Sequence, residues 1–276
     1  MRVRLARVAP ITCAADTHNL SGSPLSRFYG LGGPLYNASV PAAIADFDVI
    51  SFDCYGTLID WEGGILAAMQ PVILRHELVA SADDLLRAYA RAESAVEAGA
   101  YRPYREVLRR TFAGMAKDLG FAPQADELET LVEGLPRWEP FPDTVASLQA
   151  LAAAGHRLAI ISNVDDDLFA ETAAQLGVAF DAIITAASAR CYKPGEAIFE
   201  RAFEVLGVAP NRILHAAQSR YHDIATASRL GMQTVHVSRD SGHVSATPEP
   251  DPADREREAD HSVQNLAALV RLLAQA

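Results

Sequence analysis

An aspartate, Asp53, ends the apolar run FDVISF, where a buried strand would finish. Gly56 and Thr57 follow at once, as if the chain must turn around something held at that carboxylate. Ser162 and Asn163 end a second apolar run, HRLAIIS. Lys193 follows a third, FDAIITA, and the segment from Gln218 to Asp223 follows a fourth, RILHAA. Singly, each has an ordinary explanation: Asp and Ser-Asn pairs cap helices or start turns, and a lone lysine is usually solvated. Together, an acid, a hydroxyl–amide pair, a cation and a second acid at strand ends form the set expected of a catalytic crevice for a small polar substrate.

The elements that must position these residues follow from the hydrophobic pattern. Short β-branched runs, including QTVHV, alternate with helical stretches such as DTVASLQALAAAG, DDDLFAETAAQLG, GEAIFERAFEVLG and DIATASRLG. That alternation predicts an α/β fold, a parallel sheet with helices on both faces. Ligands of such sheets bind beyond the carboxyl ends of the strands, where the four polar segments fall. Residues 63–135 read as almost wholly helical, broken at Gly99 and Pro103, and are expected to form a cap domain inserted after the first strand. Residues 46–62 and 136–276 would then make the core domain. The segment SGHVSATPEPDPADREREAD reads as a solvated loop before a last amphipathic helix, SVQNLAALVRLLAQA.

Residues 1–45 are expected to be a disordered extension. They carry Arg2, Arg4, Arg7 and Arg27 against one acid, Asp16, and their apolar run is interrupted by Pro10. Gly30, Gly32 and Gly33 follow no strand and make no dinucleotide loop. The chain of 276 residues has a formal net charge of −11, which argues against nucleic acid and against an anionic membrane as partner. Cys13, Cys54 and Cys191 are scattered and odd in number, so free thiols and a cytoplasmic location are expected.

The segments FDCYGTLID, ISN, YKP and the final acid of RYHD together resemble the haloacid dehalogenase superfamily. REVLRRTF in the helical block and YKPGEAIFERA beyond it resemble the type II 2-haloacid dehalogenases in particular. The resemblance runs from about Phe47 to the C-terminus and implies a Rossmann-like core with a helical cap. It also implies hydrolysis of short 2-haloacids, with Asp53 as nucleophile forming an ester and Lys193 between Asp53 and Asp223. Asp223 would orient or deprotonate water, Thr57 would fix the nucleophile loop, and Ser162 with Asn163 would hold the substrate carboxylate. Phosphatases of the superfamily carry a second Asp where this chain has Tyr55, and usually a magnesium-binding Asp where it has Gln218. A departing halide needs no proton, and a neutral amide is a poor ligand for Mg²⁺. No metal and no cofactor are therefore expected, Tyr55 and Gln218 becoming pocket walls. Relatives commonly form homodimers, and the resemblance allows one here.

Other positions depart from the dehalogenase pattern. Phe199 stands where the family commonly has a site tyrosine, and Arg220 and His222 replace an Asn and a Trp of the last motif. All three are expected at the substrate. For the family's halide-binding arginine the candidates are Arg87, Arg91, Arg102 and Arg105. AYRPYRE favours Arg102, because Pro103 breaks the helix and could aim Tyr101, Arg102 and Tyr104 at the crevice. Three alternatives remain: the same ester chemistry on a C–N bond of a small amino acid, phosphomonoester hydrolysis, and a catalytically silent binding protein on this fold.

Overall fold

A computed structural model describes Ile44, residues 46–239 and residues 257–275. Nearly all of the expected N-terminal extension, with Cys13, and most of the polar loop before the last helix lie outside the described residues.

Six strands form one sheet: β1 (Val49–Phe52), β2 (Arg157–Ser162), β3 (Ala182–Thr185), β4 (Ile213–Ala217), β5 (Gln233–Val237) and β6 (His261–Val263). Their order is β3-β2-β1-β4-β5-β6, and every pairing is parallel. β1 and β4 are buried along their whole length. That is why they read as continuous apolar runs rather than alternating ones. The chain order reverses across β1, whose neighbours are β2 and β4, so the crevice between their carboxyl ends is a topological switch point.

Four helices, α1 (Trp61–His76), α2 (Ala82–Glu97), α3 (Tyr104–Leu119) and α4 (Thr130–Gly134), come between β1 and helix α5 (Thr144–Ala153). α2 starts in a capping box in which the Ser81 hydroxyl and the Asp84 carboxylate satisfy each other's backbone donors. α2 and α3 approach closely at Gly114, where a Cβ would come within 2.8 Å of the Ala92 side chain. The first two backbone amides of α3 donate across to the core, Tyr104 N and Arg105 N reaching the Asp165 carboxylate at 2.8 and 3.0 Å. An acid outside the helix thus caps N–H groups that have no intrahelical partner and meets the positive end of the helix dipole. The Tyr192 hydroxyl adds a 2.8 Å bond to Arg102 O.

The remaining helices, α6 (Asp166–Leu176), α7 (Ala186–Ala189), α8 (Glu196–Leu206), α9 (Ala225–Arg229) and α10 (Leu266–Leu273), cover the sheet. One sequence expectation is corrected. The final segment is not helical from Ser262: His261–Val263 pairs with Val235–Val237 as edge strand β6, and the helix starts only after Asn265, whose side chain caps it. No helix among the described residues is long and apolar enough to cross a membrane.

Candidate active site

Asp53 lies one residue beyond β1, and the chain turns sharply after it. Gly56 adopts φ +95°, which a side chain would strain, and Leu58 N donates back to Cys54 O at 2.7 Å. This turn brings Thr57 Oγ1 to 2.6 Å from Asp53 Oδ2, and the same hydroxyl accepts from Gln218 N at 2.9 Å. Cys54 is fully buried in the core, as alternation along the chain predicts.

Lys193 lies at the centre. Its ammonium donates to Asp53 Oδ1 at 2.7 Å, Asp223 Oδ1 at 2.7 Å and Ile161 O at 2.9 Å. Those contacts use all three N–H donors that a lysine has. The backbone of Lys193 is clamped by the Asn163 amide, which accepts from Lys193 N at 2.7 Å and donates to Lys193 O at 3.1 Å. Asp223 also faces His215, whose Nε2 is 3.0 Å from Asp223 Oδ1 and whose Nδ1 is 2.9 Å from Ser51 Oγ. Asp223 Oδ2 and Ser162 Oγ are buried without any hydrogen-bond partner.

Burial sets the charges and the lysine orders them. Burial pushes the Asp53 carboxyl above its ordinary range and the Asp223 charge adds to this, while Lys193 and the Thr57 hydroxyl pull it back. Burial acts the same way on Asp223, but Lys193 and His215 outweigh it, so that carboxyl is held low. Burial opposes the Lys193 charge, and the two aspartates more than restore it. The pair of carboxylates is therefore uneven, Asp223 being the more firmly ionised.

Above this floor is a cavity of about 90 Å³, small enough for a molecule of a few heavy atoms. Tyr55, Trp61 and Trp138 form part of its wall, with Ser162, Asn163, Gln218, Ser219 and His222 around the floor. The Tyr55 hydroxyl is turned to Thr172 Oγ1 at 2.9 Å, leaving its ring to the cavity. Burial brings the His222 pKa down to about 4, so the imidazole is neutral near pH 7. From α2 come Tyr89, Ala90, Glu93, Ser94 and Glu97, and from α3 Tyr104. The α2 positions recur at three- and four-residue spacing, so one face of that helix roofs the site.

The structure thus brings together Asp53, Tyr55, Thr57, Tyr104, Ser162, Asn163, Lys193, Gln218, His222 and Asp223. Three expected substrate residues are not at the cavity. Arg102 points outward, donating to Ala100 O at 2.9 Å and lying 3.6 Å from Glu106, because Pro103 starts the next helix instead of aiming the preceding side chain inward. Phe199 is fully buried behind the site with its ring edge-on to His215, centroids 5.7 Å apart. Arg220 is exposed, the turn from Arg220 to Ile224 carrying it outward while Asp223 faces in. The other arginines considered are on the surface, Arg87 with Asp84, Arg91 with Asp118 and Arg105 with Asp167.

Sequence reasoning missed His215 and the whole α2 face. The signal for His215 was its place inside a buried strand, where an imidazole needs partners. For α2 it was Glu93, one turn after the apolar Tyr89. Among the described residues no cluster of three or more His, Cys, Asp or Glu is arranged to hold a metal ion.

A family model of haloacid dehalogenase-like hydrolases matches residues 47–231. The (S)-2-haloacid dehalogenase 4A of Burkholderia cepacia is 27% identical over 232 residues, 81% of this chain and 93% of its own. The (S)-2-haloacid dehalogenase of Xanthobacter autotrophicus is 28% identical over 195 residues, 69% of this chain and 74% of its own. The fold matches the solved L-2-haloacid dehalogenase from Xanthobacter autotrophicus with chloropropionic acid covalently bound, with a TM-score of 0.67 at 23% identity, over 83% of this chain and 98% of that one. With the acid-ended central strand and the lysine-bridged aspartates in place, the chain belongs to the haloacid dehalogenase-like hydrolases.

Proposed function

We propose that the protein is a hydrolytic dehalogenase of short 2-haloacids that uses neither metal nor cofactor. The observation that carries this reading is Lys193, whose ammonium bridges Asp53 and Asp223 at 2.7 Å each, with Tyr55 two residues after Asp53 in place of a second acid. Residues 63–135 act as the cap, and 46–62 with 136–276 as the core that holds the reacting groups.

Asp53 attacks C2 of the substrate in line with the carbon–halogen bond. A C–O bond forms, the bonding pair leaves with the halide, and C2 inverts. An ester now joins Asp53 to the substrate. Water adds to the ester carbonyl and the acyl–oxygen bond breaks, returning the Asp53 carboxylate and releasing the 2-hydroxy acid. One water proton ends on the product hydroxyl, and one leaves to solvent by way of Asp223, whose Oδ2 has no other partner. The Ser162 hydroxyl, unpartnered and lining the cavity, donates to the substrate carboxylate. Thr57 and Lys193 hold Asp53 in one rotamer throughout. His215, behind Asp223, is a positioning residue.

The test is halide release from L- and D-2-chloropropionate and from haloacetates in EDTA, with Asp53→Asn beside the parent. Release from the L-isomer that falls by about 10³-fold or more in the variant is expected. Failure with every haloacid would sink the proposal, and Mg²⁺-dependent phosphate release would replace it with phosphomonoester hydrolysis.

A further inference from the structure

Among the described residues the cavity lining carries more acids than cations. Its lining holds four carboxyl groups, Asp53, Glu93, Glu97 and Asp223, against one lysine. That lysine has spent its donors on two aspartates and a backbone carbonyl. Among the described residues no arginine lines the cavity. A substrate carboxylate therefore has the Ser162 hydroxyl at the floor, and no cation among the described residues of the roof.

The roof offers the opposite chemistry. Tyr89 and Tyr104 donate their hydroxyls to Glu93 Oε1 at 2.6 and 2.7 Å, which fixes that carboxyl and leaves Oε2 for a ligand. Glu97, one turn further along the same face of α2, makes no hydrogen bond or ion pair among the described residues. Trp61 packs against Tyr89 with ring centroids 5.4 Å apart, and both rings line the cavity with the two acids. Carboxylates beside aromatic rings in a small, partly closed space favour a cation, through charge pairing and through the ring quadrupoles. Among the described residues the roof has no positive charge to pair with these acids. Burial, and for Glu97 the nearby Glu93 charge, pushes both carboxyls up, while the two tyrosine hydroxyls pull Glu93 back and Lys193 pulls Glu97 back, so a bound cation would favour their ionised forms.

We infer that the roof is a cation site, and that the natural substrate carries an ammonium group held by Glu93 and Glu97 above the carbon that Asp53 attacks. The floor holds the second independent feature, the buried and unpartnered Ser162 hydroxyl, which faces the substrate's other end. The molecule that fits both ends is a short zwitterion, an amine-bearing 2-haloacid. Only the identity of the attacked carbon rests on the dehalogenase reading; the binding preference does not.

The experiment compares three unreactive ligands of equal chain length, propionate, 3-aminopropionate and propylammonium, by calorimetry or ligand-observed NMR on the full chain. Parallel titrations use Glu97→Gln and Glu93→Gln, with melting temperatures as a folding control. The expected result is that one of the two ammonium ligands binds about tenfold or more tightly than propionate, and that Glu97→Gln removes most of this preference. Glu97 has no hydrogen bond to lose, so its variant remains folded even where Glu93→Gln, which disturbs two tyrosines, does not. Propionate binding best, no measurable binding of either ammonium ligand, or an unchanged ranking in Glu97→Gln would each overturn the inference. None of the probes carries a halogen, so an enzyme inactive toward 2-chloropropionate leaves this test intact. Active turnover of that acid does not decide it either.

Discussion

The floor and the roof of the cavity are built by different rules. The floor gathers residues that follow four parallel strands and closes nearly every polar atom into hydrogen bonds: Thr57 on Asp53, three acceptors on Lys193, and His215 with Lys193 on Asp223. The roof is mainly one face of α2, with Glu93 held by Tyr89 and by Tyr104 of α3, and Glu97 making no hydrogen bond among the described residues. A floor so fully braced can hold reacting groups in one geometry but adapts little. A roof on one helix can change its side chains without disturbing the reacting groups. On the proposed reading the reaction resides in the floor, and the choice of substrate in the roof.

The strongest way to break this contrast is Lys193→Met. Two buried carboxylates would lose the lysine that bridges them, and one must take up a proton or repel the other. Removing one partner of a buried ion pair typically destabilises by roughly 3–5 kcal/mol. A fall in melting temperature together with loss of halide release is expected, measured by thermal unfolding and halide assay on the same sample. An unchanged melting temperature would mean that the floor is not held by this lysine. Glu97→Gln in the roof has no such stability penalty, which is the comparison in its sharpest form.

Ser162→Ala separates binding from stability within the floor itself. The hydroxyl is buried and has no partner, so its removal relieves a desolvated polar atom whose burden is typically about 1–3 kcal/mol. The melting temperature should stay level or rise. If this hydroxyl receives the substrate carboxylate, KM for the haloacid should rise by about tenfold, one lost hydrogen bond to a charge, with kcat changed less. A fallen melting temperature would instead assign Ser162 to the fold.

The two regions also differ in how far the sequence exposes them. Asp53, Ser162, Lys193 and Asp223 each follow an apolar run, and a parallel sheet leaves such positions only one place to go, the crevice at the carboxyl ends. His215 escaped because its strand neighbours are all buried, and an imidazole among them looks like packing until Ser51 and Asp223 are seen on its two nitrogens. The roof was harder. In ADDLLRAYARAESAVE the acids Glu93 and Glu97 follow arginines and alanines as solvent-facing residues would, and only the docking of α2 over the floor turns them inward. Edge strand β6 was hidden for another reason. Three residues are too short a run for alternation to stand out beside the amphipathic helix that follows.

The smallest expected effect belongs to the arginine that the sequence favoured. Arg102 reaches only Ala100 O and the partly exposed Glu106, a surface contact of the kind worth about 0–1 kcal/mol. Arg102→Ala should leave the melting temperature nearly unchanged and halide release within about twofold of the parent, read from the same two assays. A large loss of kcat in this variant would mean that the 99–103 turn swings inward during turnover, giving the cavity a cation after all. That outcome would weaken the division between a catalytic floor and an acidic roof more than any other, because Arg102 would then neutralise the carboxylates that the ammonium is proposed to meet. A level result would leave Glu93 and Glu97 without an arginine partner among the described residues, as the proposed cation site requires.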